Sequence, residues 1–406
     1  MRRRDFLNFA GGLGTALLLP KPLLAAARAD AAGPGGSGYA NLLILIELKG
    51  GNDGLNTVAP YADPEYLALR PKIGIKREQV IQLDERTGLH PSLQALLPMW
   101  QAHELAIVQG VGYPQPNLSH FRSIEIWNTA SRSDEYLRDG WLTRAFAARA
   151  VPAGFDADGV IVGSAEPGPL GGGARAVTLT NPAQFLRAAS LATPASVREA
   201  NPALAHILQV ERDIVRAADG LRPRQGQYVL KTAVPGGAFG NVVKTALQVV
   251  AAADSPAGVP LDGRGVAVLR LTLNGFDTHQ NQPGQQANLL RQFAEGMVAL
   301  KSGLTELGRW SSTMIMTYAE FGRRPRENQS AGTDHGTVAP HFIAGGRVRG
   351  GLYGQAPRLD SLDGNGNLPF AVDFREIYAT VLERWWGMPS QPVLLGRFRP
   401  LDILRA

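Results

Sequence analysis

Between Ala331 and Gly346 the chain reads AGTDHGTVAPHFIAGG: Asp334 and His335 are adjacent, Gly332 and Gly336 flank them, and a second imidazole follows at His341. Carboxylate oxygen and neutral imidazole nitrogen form a donor set that suits zinc, manganese or iron, and glycine lets backbone bend closely round an ion. Taken singly, each of these residues is more often a loop acid or a hydrogen-bonded core histidine. Company elsewhere in the chain favours the metal. Asp277 and His279, in GFDTH, lie two apart, so on extended backbone they point the same way and can share one ion. Asp53 lies in GGNDG, where a turn is the competing explanation, and Ser119 lies in NLSHF. Ser119 stands where an amphipathic helix should begin. Free N–H groups and the positive dipole end favour an anion or an alkoxide there, although capping is the commonest reason for serine at a helix start.

These residues need elements to position them. Asn41 to Lys49, NLLILIELK, is a continuous apolar run, the mark of a central strand buried on both faces of a parallel sheet. It ends just before Asp53. Leu93, Leu96, Leu97 and Trp100 recur at helical spacing, and Leu105 to Val111 then reads as a second strand running towards Ser119. Gly265 to Asn274 is another strand, ending before Asp277, and the helix after it keeps Leu289, Leu290, Phe293, Met297, Leu300, Leu304 and Leu307 on one face. Thr313 to Tyr318 is a further strand that ends before Glu320 and Arg323. A last helix starts at Asp373, with Glu376 placed for a capping box. Helices alternating with buried strands predict a doubly wound, mostly parallel α/β sheet with helices on both faces, whose ligands gather beyond the strand C-termini. Residues 131 to 260 fit the alternation poorly. They are expected to form an inserted cap, with a strand candidate at Val160 to Gly163, helices around Ala203 to Ala217 and Val242 to Ala253, and a Gly171-Gly172-Gly173 loop that lacks a phosphate-binding motif.

Composition narrows the function. At 406 residues, 44% hydrophobic and 19% charged, the chain has the material for a large globular domain. Residues 1–29 are expected to be an export signal and residues 30–406 the mature domain. Arg3-Arg4-Asp5-Phe6-Leu7 is the twin-arginine pattern, a Gly-containing apolar run follows, and Ala27-Arg28-Ala29 offers a cleavage site. The expected partner is the twin-arginine translocation machinery and the expected location the periplasm or beyond. Without that segment the chain holds 36 basic and 34 acidic groups, which removes any electrostatic case for nucleic acid. No further run of about 20 apolar residues occurs, so no lasting membrane anchor is expected. With no cysteine, disulfides, thiolate ligands and a cysteine nucleophile are excluded. His90, His103 and His206 read as structural.

The series GGNDG at Gly50, NLSHF at Asn117, GFDTH at Gly275, AEFGR at Ala319 and GTDHG at Gly332 resembles the exported bacterial family called domain of unknown function 1501, grouped with the alkaline phosphatase and sulfatase superfamily. The resemblance spans nearly the whole mature chain. It implies two divalent ions, zinc first and manganese or iron next. One ion would lie on Asp53, Ser119 Oγ, Asp334 and His335, and the other on Asp277, His279 and His341. Two such ions clamp an in-line displacement, with Ser119 as nucleophile and Arg122, Arg323 or Asn52 steadying the transferred group. His120 and Glu320 would support the ligands, and Glu320 is also a candidate ligand for a third ion. Phe121 stands where formylglycine maturation needs proline, which ranks phosphate esters above sulfate esters as substrate. The alternative is a metal-binding or envelope-assembly protein that keeps the fold without turnover.

Overall fold

The computed structural model describes residues 38–179, 230–253 and 265–405. The proposed signal, the helix around Ala203 to Ala217 and His206 lie outside them. Among the described residues nine strands form one sheet: β1 (Leu42–Lys49), β2 (Leu105–Gly112), β3 (Ala157–Val162), β4 (Ala176–Leu179), β5 (Val266–Asn274), β6 (Thr313–Tyr318), β7 (Ala339–Ala344), β8 (Gly351–Gly354) and β9 (Val372–Asp373). Their spatial order is β8-β2-β7-β6-β1-β5-β3-β4, with β9 also on β2. Leu43 pairs with Val268 of β5 on one side and Met314 of β6 on the other, both parallel, so β1 sits at the centre as its apolar run predicts. Only β7 runs antiparallel, to both β2 and β6.

Alternation along β1 separates two cores. Leu42, Ile44, Ile46 and Leu48 face one side, where α3 (Gly237–Ala253) and α4 (Gln282–Glu306) supply Val243, Leu247, Leu290, Phe293, Met297 and Leu300. Leu43 and Leu45 face the other, where α1 (His120–Thr129), α2 (Trp141–Ala148) and α5 (Phe374–Ala379) supply Ile126, Trp127, Trp141, Phe374 and Tyr378. Helices therefore cover both faces. Truncating a side chain such as Leu43, fully buried in the second core, to alanine costs about 2–5 kcal/mol. The Asp373 carboxylate caps α5 and Glu376 returns the bond, the expected capping box.

The region expected as a cap is partly something else. β3 and β4 extend the central sheet and α3 packs over β5, so 157–162, 176–179 and 237–253 belong to the α/β layers. Within the expected cap, residues 180–229 and 254–260 lie outside the described residues.

Candidate metal centre

β1, β5 and β6 are parallel neighbours, and β2 runs the same way beyond β7, so the loops leaving their C-terminal ends share one edge. Gly50, just past β1, has φ +117, and a Cβ there would collide with the backbone nitrogen of Asp277. Its N–H donates to Glu320 Oε1 at 2.9 Å, so the β1 and β6 loops are tied through a buried carboxylate. Arg323 ties the others. Its guanidinium donates to the carbonyls of Gly50, Gly51 (2.7 Å), Phe276 (3.0 Å) and Thr333 (2.9 Å), and to Asp277 Oδ1 (2.7 Å). Opposite, the backbone pairs Gly322–Arg323 with His335–Gly336, which brings His335 to the same edge.

Three imidazoles converge on Asp277. His279 Nε2 lies 3.0 Å and His335 Nε2 3.2 Å from Asp277 Oδ1, and His120 Nε2 lies 3.4 Å from Oδ2. Each ring has its other nitrogen on an acceptor: His120 Nδ1 on Glu320 Oε1 at 2.8 Å, His335 Nδ1 on the Leu118 carbonyl at 2.8 Å, and His279 Nδ1 on Asp334 Oδ1 at 3.3 Å. With its ring proton held by the acceptor at Nδ1, each imidazole can turn the Nε2 lone pair to a cation bound at Asp277. The Nε2 atoms of His279 and His335 stand 3.0 Å apart. Lone pairs and a carboxylate brought this close fit a cation at their meeting point. Among the described residues, His120, Asp277 and His335 form a group whose ligand atoms all lie within 4.8 Å of one another.

The electrostatics agree. Partial burial pushes the Asp277 carboxyl up, but the hydrogen bond and charge of Arg323, helped by His335 and His120, outweigh it and bring the pKa down to about 2. The carboxylate is ionised at any working pH. The bond to Glu320 raises the His120 pKa against its desolvation, whereas desolvation lowers that of His335. Asp334 is lowered despite desolvation, by hydrogen bonds from Asn328 and His279.

The remaining expected ligands stand elsewhere. Asp53 is buried, with both oxygens on the guanidinium of Arg70 and a further bond from Gln282. His341 lies on β7 rather than beyond a strand; its ring packs on Trp127, its Nδ1 is 3.3 Å from Thr317 Oγ1, and burial pushes its pKa down to about 3. Neither expected two-ion ligand set therefore assembles as a unit. Arg122 donates to the carbonyls of Arg132, Ser133 and Glu135 and pairs with Glu125, so it holds a loop. Arg323 has all three guanidinium nitrogens engaged, which makes it a clamp rather than a substrate contact. Asn52 is buried, its side-chain oxygen on Thr57. Ser119 is exposed at the N-cap of α1 and makes no side-chain capping bond, so its hydroxyl is not spent on the helix. The residues on either side of it, Leu118 and His120, are both bonded into the centre.

A family model described as "Protein of unknown function (DUF1501)" matches residues 40–394. The chain belongs to the DUF1501 family. No curated protein matches it. Among solved structures it is similar to the lipoteichoic acid synthase LtaP of Listeria monocytogenes, at 8% identity and TM-score 0.38 over 87% of this chain and 76% of that one. It is also similar to the C-terminal periplasmic domain of EcEptC from Escherichia coli in complex with Zn, at 11% identity and TM-score 0.33 over 77% and 74% of the two chains. The alkaline phosphatase of the Antarctic bacterium TAB5 is similar at 10% identity and TM-score 0.31, over 77% and 94%. Likenesses this distant carry no argument for an activity.

In this DUF1501 chain the sequence marks His120 and Glu320 as supporting residues, and the structure brings His120 to the centre itself with Glu320 behind it. Asp334 takes the converse place, behind His279. Arg70 and Gln282 carry no sequence signal at all. Arg70 follows a six-residue helix and precedes a proline, a setting that reads as surface.

Proposed function

We propose that the protein is an exported metal-dependent hydrolase of phosphate esters, with a divalent ion on His120, Asp277 and His335, His279 beside it, and Ser119 as nucleophile. The convergence of three inward-facing Nε2 atoms on an ionised carboxylate, beside an uncommitted serine hydroxyl, carries this reading. The nitrogen-rich donor set suits zinc, then manganese or iron. When bound, such an ion polarises a phosphoryl oxygen and lowers the pKa of a hydroxyl it faces. Glu320 and the Leu118 carbonyl hold the protons of His120 and His335 at Nδ1, keeping Nε2 free. Arg323 holds Asp277 ionised and in place. Ser119 Oγ attacks phosphorus as the ester oxygen departs, and water then cleaves the phosphoserine bond and restores the hydroxyl. The first turn of α1 offers its N–H groups to the anionic group beside Ser119. Sulfate esters rank lower because Phe121 occupies the maturation proline's position.

Export by the twin-arginine machinery rests on residues 1–29. No helix among the described residues is long and apolar enough to cross a membrane.

One observation favours a second reading, a metal-binding or assembly protein without turnover. Of the two arginines expected to steady the transferred group, Arg323 has every guanidinium nitrogen on a backbone carbonyl or Asp277, and Arg122 turns its Nη2 onto three backbone carbonyls while its Nε is buried without a hydrogen-bond partner. The experiment is elemental analysis of protein purified from the periplasm without chelator, followed by a screen of phosphate and sulfate esters with wild type and Ser119→Ala. Metal with serine-dependent turnover supports the hydrolase. Metal with a biological role indifferent to Ser119→Ala supports the second reading, and protein that takes up no metal sinks both.

A further inference from the structure

Arg70 is fully buried, and all five of its N–H donors end on oxygen. Nε donates to the Pro325 carbonyl at 2.7 Å. One terminal nitrogen donates to Asp53 Oδ2 at 2.5 Å and Asn56 Oδ1 at 2.8 Å, and the other to Asp53 Oδ1 at 2.8 Å and the Arg324 carbonyl at 3.0 Å. Carboxylate, amide and backbone carbonyl oxygens closing on one positive charge are what a hard divalent cation takes from a protein. The cage is also built to face inward. Asn56 gives its Nδ2 to the Ile73 carbonyl at 2.8 Å, which turns its oxygen to Arg70. Gln282 takes hydroxyl bonds from Thr278 (3.1 Å) and Thr333 (2.6 Å) on its oxygen, which turns its amide nitrogen to Asp53.

From this geometry we infer that Arg70 is an internal cation filling an oxygen-lined site beside the metal centre, so that the chain binds one divalent ion and not two. With both Asp53 oxygens on a guanidinium, a second ion would have to displace or face that fixed charge. The cage is coupled to the centre, because Thr278 stands between Asp277 and His279 and Thr333 precedes Asp334. Gln282 therefore links the charge of Arg70 and Asp53 to the loops that carry the ligands. Removing the arginine side chain leaves a buried, negatively charged oxygen cage, a new site for calcium, magnesium or manganese with water completing the coordination.

The count of one rests on the centre proposed above, whereas the cage does not, and the test separates them. Metal content is measured for wild type, Asp277→Asn and Arg70→Ala, and melting temperature is followed for wild type, Arg70→Lys and Arg70→Ala against added calcium and manganese. The expected result is one ion in wild type and none in Asp277→Asn. Arg70→Ala should melt about 5 °C lower, since it strands a buried carboxylate, and calcium or manganese should restore at least half of that loss with saturation. Arg70→Lys should show no such response. Two ions in wild type overturn the inference, as does an Arg70→Ala protein whose melting ignores both cations. Should Arg70→Ala fold only when a divalent cation is supplied, the cage is supported; should it fail to fold with either cation, the cage is refuted. No ion in wild type would fail the centre and leave the cage to be decided by the Arg70→Ala melts.

Discussion

Replacing Glu320 by glutamine tests whether His120 is a ligand. The carboxylate is buried, and its Oε1 takes both the Gly50 N–H (2.9 Å) and His120 Nδ1 (2.8 Å), while Oε2 has no partner. Glutamine can keep its carbonyl on both donors and place its amide where Oε2 was, so shape and bonds persist and the charge is removed. A hydrogen bond to a charged group is worth about 1–1.5 kcal/mol more than a neutral one, which converts to roughly tenfold in metal affinity. Glu320→Ala loses the orientation of the ring as well, and second-shell losses of that kind reach about 100-fold. The assay is competition for zinc with a chromophoric chelator at about pH 8.5, some two units above the ordinary histidine pKa. That pH matters because Glu320 raises the His120 pKa, so nearer neutrality proton competition in wild type would mask part of the loss. Zinc affinity unchanged in a natively folded Glu320→Ala protein would remove His120 from the centre.

Asp277→Asn should leave the circular dichroism spectrum unchanged and lower zinc affinity by about 100-fold or more, since it neutralises the one carboxylate all three rings face; wild-type affinity would dismiss the site. Ser119→Ala should keep zinc affinity within about threefold and cut ester hydrolysis by about a thousandfold, so residual turnover near wild type would assign the nucleophile elsewhere. Acid should destabilise the fold through buried neutral histidines. Burial lowers His341 to about 3 and His90 to about 4, against about 6.5 in the unfolded chain, so the stability each contributes is present above about pH 6.5 and declines as pH falls towards the folded value. At pH 5 each costs about 2 kcal/mol. Urea denaturation at pH 7 and pH 5 should show that loss reduced in His341→Gln, and an identical pH dependence in the variant would refute it.

Much of the fold can be read along the chain because β1, β5 and β6 are mostly apolar runs of strand length, as strands buried on both faces require, even though Glu47, Arg270 and Thr317 interrupt them. β7 escapes such a reading. Its six residues, APHFIA, include Pro340 and a polar His341, and its register on β2 shifts between Ala339 and His341. Without that strand, His341 looks like a loop ligand. The site shows the same limit. Strand-end position places Asp277, His279 and Glu320 at one edge, which His335 joins through its pairing with Arg323, but it cannot say which partner an acid there will take. Asp53 has the right address and a different neighbour, an arginine seventeen residues on. Periodicity leaves Arg70 unmarked, because a buried cation owes its place to carbonyls from Pro325 and Arg324, far along the chain.

β7 also sets the order in which this sheet can be completed. It lies between β2 and β6, antiparallel to both, and among the described residues no other strand joins the β8-β2 side to the β6-β1-β5-β3-β4 side of that sheet. A growing chain that has not yet emerged past Ala344 lacks β8 and β9 as well as β7, so β2 is without a sheet neighbour on either side and β6 is unpaired on one. Each open edge invites a neighbour's backbone. Closing the gap requires contacts as distant as Val108 with His341, a topology that folds slowly and exposes apolar edges while it does. Synthesis beyond Ala344 thus converts an aggregation-prone partial sheet into a continuous one, and a truncation before Ala339 would leave it permanently open.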